Sequence, residues 1–214
     1  MSYYTEKQFT KTTKDTEKTS VLFQTYFFDV KGEILDAGCS VGGFISLAPD
    51  KIQGIDFDEE SVNICRKKGL KAEKMDLTKK LEFKDEEFDG IFSSYLIEHI
   101  EKPLPMLKEL RRILKKNGKL VIITNDWVRT HEIKNCNFYD DYTHVKPFTK
   151  VSLGKIAFDA GFRNYFVEYE AKSVTGFGWV IRKGFFTTKQ IMSLQKVMRF
   201  FGLTNDSIVL VAYK

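Results

Sequence analysis

The residues with the clearest chemical potential stand together at positions 33–44, in the segment EILDAGCSVGGF. Two apolar residues and an acid, Asp36, precede a turn of small residues that contains Gly38, Ser40 and Gly42. A strand that runs into a glycine turn lets the backbone come close to a nucleotide, because glycine adopts backbone angles that other residues avoid. The first N–H groups of a following helix would point at the same ligand. The segment predicts a strand, a ligand-binding turn and a helix from about residue 42.

Three known motifs fit this turn. Gly38 to Gly42 matches G-x-S-x-G, the nucleophile elbow of α/β-hydrolases. Gly38, Ser40 and Gly43 form a degraded dinucleotide fingerprint, with Ser40 in place of the second glycine. Asp36 to Gly42 is similar to D-x-G-x-G-x-G, the first motif of class I S-adenosylmethionine (SAM) methyltransferases, again with Ser40 for a glycine. Each match is weak alone, so the rest of the chain must decide.

The order of elements disfavours a hydrolase. In α/β-hydrolases several strands and an oxyanion loop precede the elbow, whereas only 32 residues precede this one. His144 with Asp126 or Asp141 would complete a triad on paper, but such pairs arise easily by chance. Ser40 is then a small residue that the turn tolerates.

Acids at the ends of predicted strands narrow the choice further. Asp56 lies 20 residues after Asp36, at the end of the second predicted strand, and Asp76 ends the third. Ligands bind at the carboxyl ends of strands in open α/β sheets, and an acid after the second strand suits a ribose diol. A dinucleotide fold has no need of Asp76. Each acid also has a structural alternative, as a helix cap for Asp36 and Asp56 and as a loop acid for Asp76.

The predicted elements alternate between short apolar strands and helices. This alternation is typical of a Rossmann-like, doubly wound α/β sheet, mostly parallel. The predicted strands are 33–37, 51–56, 70–75, 88–93, 119–124, 163–171 and 207–213. The predicted helices are 21–30, about 42 onward, 58–68, 103–116 (capped by Asn117 and Gly118), 149–160 and 187–201.

Taken in order, the segments resemble class I SAM-dependent methyltransferases of the small, single-domain, type 11-like kind. The resemblance covers roughly residues 30–170 and is specific because all the pieces occur at normal spacing. It implies a seven-stranded sheet whose last strand is antiparallel. The matching segments are ILDAGCSVGG, GIDFDEES, KMDL, FDGIFSSYLIEHI, PMLKELRRILKKNGKLVIIT and THVKPFT followed by AGF.

The resemblance also implies a SAM site, with S-adenosylhomocysteine (SAH) as product. The turn and its preceding acid would hold the methionine part, the acid and aromatic after strand 2 would hold ribose and adenine, and the pair after strand 3 the adenine amino group. Three residues at the end of strand 4 would line the floor near the sulfonium. The residues concerned are Asp36, Gly38, Ser40, Gly42, Asp56, Phe57, Asp76, Leu77, Ser93, Ser94 and Tyr95. Ser40 departs from the family pattern and puts cofactor affinity in question.

Methyl transfer needs mainly proximity and alignment, and a general base only for a protonated acceptor. The candidates for that base are His144 first, then His99 and Tyr142. They stand after strand 4 and in the long connection 125–147, where loops of such length are usually functional. Other polar candidates there are Asp126, Trp127, Asp140 and Asp141. The alternative role for His144 is a structural hydrogen bond that pins the loop.

Composition limits the remaining classes. A chain of 214 residues with 43% hydrophobic content predicts one folded domain over residues 21–214, behind a flexible arm at 1–20. With no apolar run long enough to span a membrane and no signal-peptide core, we expect a cytoplasmic protein. The three cysteines and three histidines show no ligand spacing, so the sequence predicts no metal site.

The net charge of +5 comes from the C-terminal segment 172–214, which has seven basic residues and one acid. We expect a helix here with a solvated basic face; contact with an anionic acceptor or a membrane surface is the alternative. Nucleic acid is disfavoured because the main domain has no basic stripe.

The sequence therefore predicts a SAM-dependent methyltransferase with a small-molecule, sugar- or lipid-linked acceptor. The alternatives are an RNA or protein methyltransferase on the same fold, a non-catalytic SAM-binding partner subunit, and a dehydrogenase. The motif after strand 4 argues against the dehydrogenase.

Overall fold

The computed structural model describes residues 13–127, 138–171 and 204–214. Its strands are β1 (Ile34–Ala37), β2 (Ile52–Asp56), β3 (Ala72–Lys74), β4 (Phe88–Ser94), β5 (Leu114–Asn125), β6 (Asn164–Ala171) and β7 (Thr204–Tyr213). Its α-helices are α1 (Thr13–Tyr26), α2 (Glu59–Lys67), α3 (Pro103–Ile113) and α4 (Lys150–Asp159). Single turns of 3-10 helix occur at Ile45–Leu47, Ile97–His99 and Phe138–Asp140.

The strands form one seven-stranded sheet in the order β3-β2-β1-β4-β5-β7-β6. β1 lies at the centre of the parallel part, where Ile34 pairs with Ile52 on one side and with Gly90 on the other. β7 runs antiparallel to both neighbours, β5 and β6. The predicted fold, a mostly parallel Rossmann-like sheet with its last strand antiparallel, is confirmed.

Helices cover both faces of the sheet, so the apolar strands are buried on two sides. One face buries residues of α3 and α4 against the sheet, among them Met106, Leu110, Leu153 and Ala157. The other buries α1 and α2, through Leu22, Phe27, Val62 and Cys65. This sandwich leaves the carboxyl ends of β1 to β5 at one edge, which is where the turn and its acids lie.

The prediction of an α-helix after the glycine turn is wrong. Only the 3-10 turn Ile45–Leu47 forms, and β2 begins at Ile52. Pro49 explains the difference, because it lacks an N–H and disfavours helical angles in the residue before it. Ala48 accordingly adopts φ −155° and ψ 70°. The apolar residues of this segment still pack inward, so their pattern indicated burial but not a helix.

Other boundaries also move. α1 begins at Thr13 rather than at residue 21 and ends before the aromatic Phe27. α3 ends at Ile113, and Asn117 and Gly118, predicted to cap it, lie within β5. Asn117 has a φ of +62° where the pairing with β4 shifts register, so the pair marks an irregularity in a strand.

Two predicted features lie outside the described residues: the helix 187–201, and the part of the basic segment, 172–203, that carries six of its seven basic residues. Within the three described ranges, no helix is both long enough and apolar enough to cross a bilayer.

Candidate active site

The glycine turn after β1 is held by the neighbouring strand. The N–H groups of Gly38 and Cys39 both donate to the carbonyl of Ile55, at 2.9 and 3.0 Å. Gly38, Ser40 and Gly42 have φ values of +84°, +47° and +82°. Alternating left-handed residues fold the chain into a tight loop whose backbone faces the edge of the sheet, as the glycines predict.

Asp56 ties this loop to β2. One carboxylate oxygen accepts the N–H of Ser40 at 2.7 Å, and the other accepts the N–H of Asp58 at 2.9 Å. Burial raises the pKa of Asp56, against the lowering effect of these hydrogen bonds. Asp58 in turn caps α2 by accepting the N–H of Ser61. The helix-capping role expected as the alternative for Asp56 thus belongs to Asp58, and Asp56 itself lines a cavity.

Two cavities meet at Gly38, one on each side of it. The larger, about 370 Å³, is lined by Asp56, Phe57, Asp76, Leu77, Leu96 and Ile100. The smaller, about 130 Å³, is lined by Asp36, Ser40, Ser94 and Tyr95, with Thr19 and Leu22 of α1 above them. A Cβ at Gly38 would lie 3.1 Å from the side chain of Leu96, and the φ of +84° is strained for other residues, so both space and backbone favour glycine here.

The larger cavity combines a flat apolar wall with polar ends. Phe57 is 70% exposed beside the buried Leu77, so much of its ring is accessible to a ligand in this cavity. Asp76 accepts the N–H and hydroxyl of Thr78 at 2.9 and 2.6 Å, and these bonds lower its pKa. An ionised carboxylate and an exposed ring at one cavity suit a nucleobase.

The smaller cavity is more polar. Asp36 is 3% exposed, and Tyr95 donates or accepts a 2.7 Å hydrogen bond with Ser207 of β7. Tyr95 adopts φ +52°, which turns the chain sharply at the end of β4. Of the predicted cofactor residues, Gly42 and Ser93 line neither cavity. Ser93 is fully buried in β4.

The structure brings His99 and His144 together, 45 residues apart in sequence. Their ring centroids are 4.7 Å apart. His144 Nδ1 lies 2.6 Å from the carbonyl of Phe138, and His99 Nδ1 lies 2.9 Å from the Thr143 hydroxyl and 3.3 Å from the Thr143 carbonyl. Because a carbonyl only accepts, each Nδ1 carries a proton, and in the neutral form of either ring the lone pair lies on Nε2. Burial, then the charge of His144, lowers the pKa of His99.

Glu98 explains how the two histidines meet. Its backbone carbonyl accepts the N–H groups of Val145 and Lys146, at 2.9 and 3.1 Å, and so fixes the chain that carries His144. Its side chain is fully buried, and one carboxylate oxygen accepts the hydroxyl of Thr124 at 2.9 Å. Burial raises the pKa of Glu98 to about 7. The Glu98-His99 dipeptide was visible in sequence, but its pairing with His144 was not.

The other predicted acceptor-side residue, Tyr142, does not join this group. Its side chain is 87% exposed. Asp126 instead is buried and forms an isolated β-bridge with Phe148. The backbone N–H of Trp127 donates to the Phe148 carbonyl at 2.8 Å. These contacts anchor the connection behind the histidines. Residues 128–137 of the connection lie outside the described ranges.

The known proteins and families that this chain is similar to include methyltransferases. Residues 35–122 match the model of a family described as methyltransferase domain. An uncharacterized protein of Methanocaldococcus jannaschii is 38% identical over 95 residues, which are 43% of this chain and 44% of that protein. Phosphatidylethanolamine N-methyltransferase of Cereibacter sphaeroides is 30% identical over 104 residues, 44% of this chain and 51% of that protein. The matches thus span about half the length of these curated relatives.

A solved structure has the same architecture along its whole length. The crystal structure of a SAM-dependent methyltransferase from Archaeoglobus fulgidus superposes with a TM-score of 0.70 at 22% identity, covering 100% of both chains. Residues 35–122 are therefore similar to the methyltransferase-domain family, and the fold that the sequence resemblance implied, the class I methyltransferase fold, is confirmed.

Proposed function

We propose that this chain, with its methyltransferase domain on the class I fold, transfers a methyl group from SAM to a small-molecule, sugar- or lipid-linked acceptor. The observation that carries the proposal is the pair of cavities that meet at Gly38. One is small and polar, and the other is larger, with an exposed aromatic wall. A ligand with a charged amino-acid end and an adenosine end matches both.

The residues present fit such a ligand. Asp36, buried in the smaller cavity, would attract the ammonium of the amino-acid end. In the larger cavity Asp56 would accept from ribose hydroxyls, Phe57 would stack on adenine and Asp76 would accept from its amino group. SAM, when bound, supplies an electrophilic methyl group on a sulfonium, so the protein has mainly to align the acceptor.

The histidine pair lies on the acceptor side in this proposal. His99 belongs to the turn Ile97–His99, and the residues on either side of that turn, Leu96 and Ile100, line the larger cavity. The Nε2 lone pairs of His99 and His144 are suited to take a proton from a hydroxyl or ammonium acceptor. The similarity to a phosphatidylethanolamine N-methyltransferase makes lipid amines the first acceptors to test.

Calorimetric titration with SAM, SAH and NAD tests the cofactor assignment. We expect SAM and SAH to bind, and Phe57→Ala to weaken SAH by about 5-fold or more, because stacking on a base is worth about 1–3 kcal/mol. Phe158→Ala is the matched control: Phe158 is 47% exposed on α4 and lines neither cavity. Its variant should bind SAH as the wild type does. NAD binding without SAH binding, or equal affinity in Phe57→Ala and wild type, would contradict the assignment.

A further inference from the structure

We propose that Glu98, His99 and His144 form a binding site for a divalent transition-metal ion beside the cofactor cavity. One carboxylate oxygen of Glu98 and one ring nitrogen of each histidine all lie within 4.8 Å of one another. Two imidazoles and one carboxylate are the protein ligands of catalytic zinc sites and of non-haem iron sites. Ligand atoms about 2.0–2.1 Å from Zn²⁺ lie roughly 3.4 Å apart, so small side-chain movements would close the site.

The buried carboxylate of Glu98 points to a bound ion independently of the clustering of the three side chains. Glu98 is 0% exposed, and one of its oxygens accepts the hydroxyl of Thr124. Its other oxygen, Oε1, accepts no hydrogen bond from the described residues. Burying a carboxylate oxygen without a donor costs free energy, and a metal ion is the partner that best offsets the cost.

The histidines are oriented as metal-binding histidines usually are. Nδ1 of His144 donates to the carbonyl of Phe138, and Nδ1 of His99 donates to Thr143. The hydroxyl of Thr143 in turn donates to Asp141 at 2.6 Å. Backbone carbonyls and hydrogen-bonded side chains behind a histidine fix its tautomer, which makes Nε2 the metal-binding atom of these two rings.

The consequence for catalysis rests on the proposed function, whereas metal binding itself does not. An ion held by three protein ligands keeps an open position that can bind an oxygen of the acceptor. It would lower the pKa of a bound hydroxyl, so that the proton is released to water before the methyl transfer, and it would hold that oxygen in place. A metal ion here would favour hydroxyl-bearing acceptors, which should then be tested beside the lipid amines named above. Metal binding would exclude the direct base role proposed above for the two imidazoles, because one lone pair cannot both bind an ion and take a proton.

The test uses the metal-stripped full chain without SAM, titrated with Zn²⁺ in a calorimeter and with Co²⁺ by absorption spectroscopy. We expect one ion per chain and a Co²⁺ spectrum without a thiolate charge-transfer band. Glu98→Gln keeps the side-chain shape, and His144→Asn keeps a donor for the Phe138 carbonyl while removing Nε2. Each should weaken Zn²⁺ at least about 100-fold, since loss of a partner behind a ligand already costs 10–100-fold. Glu101→Gln, at an exposed position three residues away, should bind as the wild type does.

Several results would overturn the site. They are no Zn²⁺ binding by the wild type, a thiolate band in the Co²⁺ spectrum, or wild-type Zn²⁺ affinity in both Glu98→Gln and His144→Asn. Thermal unfolding of the metal-free variants checks that they fold. If a variant does not fold, the Co²⁺ spectrum of the wild type still tests the proposed ligands. SAH titration is run separately, so a failure of the cofactor assignment is distinguishable from a failure of the metal site.

Discussion

Asp56 links the conformation of the glycine turn to ligand binding. Its two oxygens accept N–H groups from opposite sides of the crevice, those of Ser40 and Asp58. A carboxylate has further lone pairs, so both bonds are compatible with ribose hydroxyls. Ser40 departs from the family pattern, yet at φ +47° it keeps the left-handed turn and supplies the N–H that Asp56 holds. The serine is accommodated without loss of the loop.

The raised pKa of Asp56 predicts a pH-dependent affinity. Burial favours the protonated carboxyl in the free protein, whereas hydroxyl donors of a bound ligand favour the ionised form. SAH binding should then release a proton, and its affinity should rise with pH up to the pKa of Asp56 in the free protein. Titrations across the acidic range in buffers of different ionisation enthalpy measure both effects.

Asp56→Asn is the comparison for that pH dependence. Its affinity for SAH should be weaker and should lose the part of the pH dependence that Asp56 contributes. Asp159→Asn, at the exposed end of α4, controls for the loss of one carboxylate. An affinity that falls as the pH rises, or an unchanged pH profile in Asp56→Asn, would contradict this role.

At the scale of elements, the turn is supported by an aromatic cluster that joins α1 to the sheet. Phe27 lies 5.5 Å from Phe44 of the turn and 5.9 Å from Phe92 of β4, between ring centroids. Phe44 and Phe92 stack at 4.1 Å. Leu22 and Thr19 of α1, five and eight residues before Phe27, line the smaller cavity. The cluster thus holds α1 over the predicted methionine end of the ligand.

Two adjacent phenylalanines test this packing. Phe27 is 1% exposed and Phe28 is 37% exposed. Phe27→Ala should cost about 3–5 kcal/mol of unfolding free energy, the usual range for a buried phenylalanine. At about 2–4 °C per kcal/mol, its melting temperature should fall by roughly 6–20 °C. Phe28→Ala should change stability far less. Similar melting temperatures for the two variants would show that the cluster does not hold α1.

The elements that sequence predicted correctly are those with local signals. β1, β2, β4 and α2 follow from apolar runs, strand-end acids and the cap at Asp58, each within a few residues. The helix expected after Gly42 failed because Pro49 and the early start of β2 leave no room for it. The residue types of Asn117 and Gly118 suit a helix cap and an irregularity within a strand equally well. Only the pairing with β4 shows that they belong to a strand.

At the scale of the whole molecule, the topology makes the site. It collects the ends of β1, β2 and β4 at one edge, so Asp36, Asp56 and Tyr95 reach adjoining cavities, as strand order predicts. The meeting of Glu98, His99 and His144 was not predictable, because a connection without a regular period separates them. Tyr142 has the same local context as His144, yet it points to solvent. Proximity along the chain therefore did not identify the acceptor-side residues.

A crystal structure of the chain with SAH is the most direct test of the central claim. We expect one SAH across Gly38, with its adenine against Phe57 and beside Asp76, its ribose hydroxyls on Asp56 and its amino-acid end beside Asp36. The sulfur should then face the side of the cavity that carries His99 and His144. SAH bound away from Gly38, or with its adenine in the smaller cavity, would contradict the account.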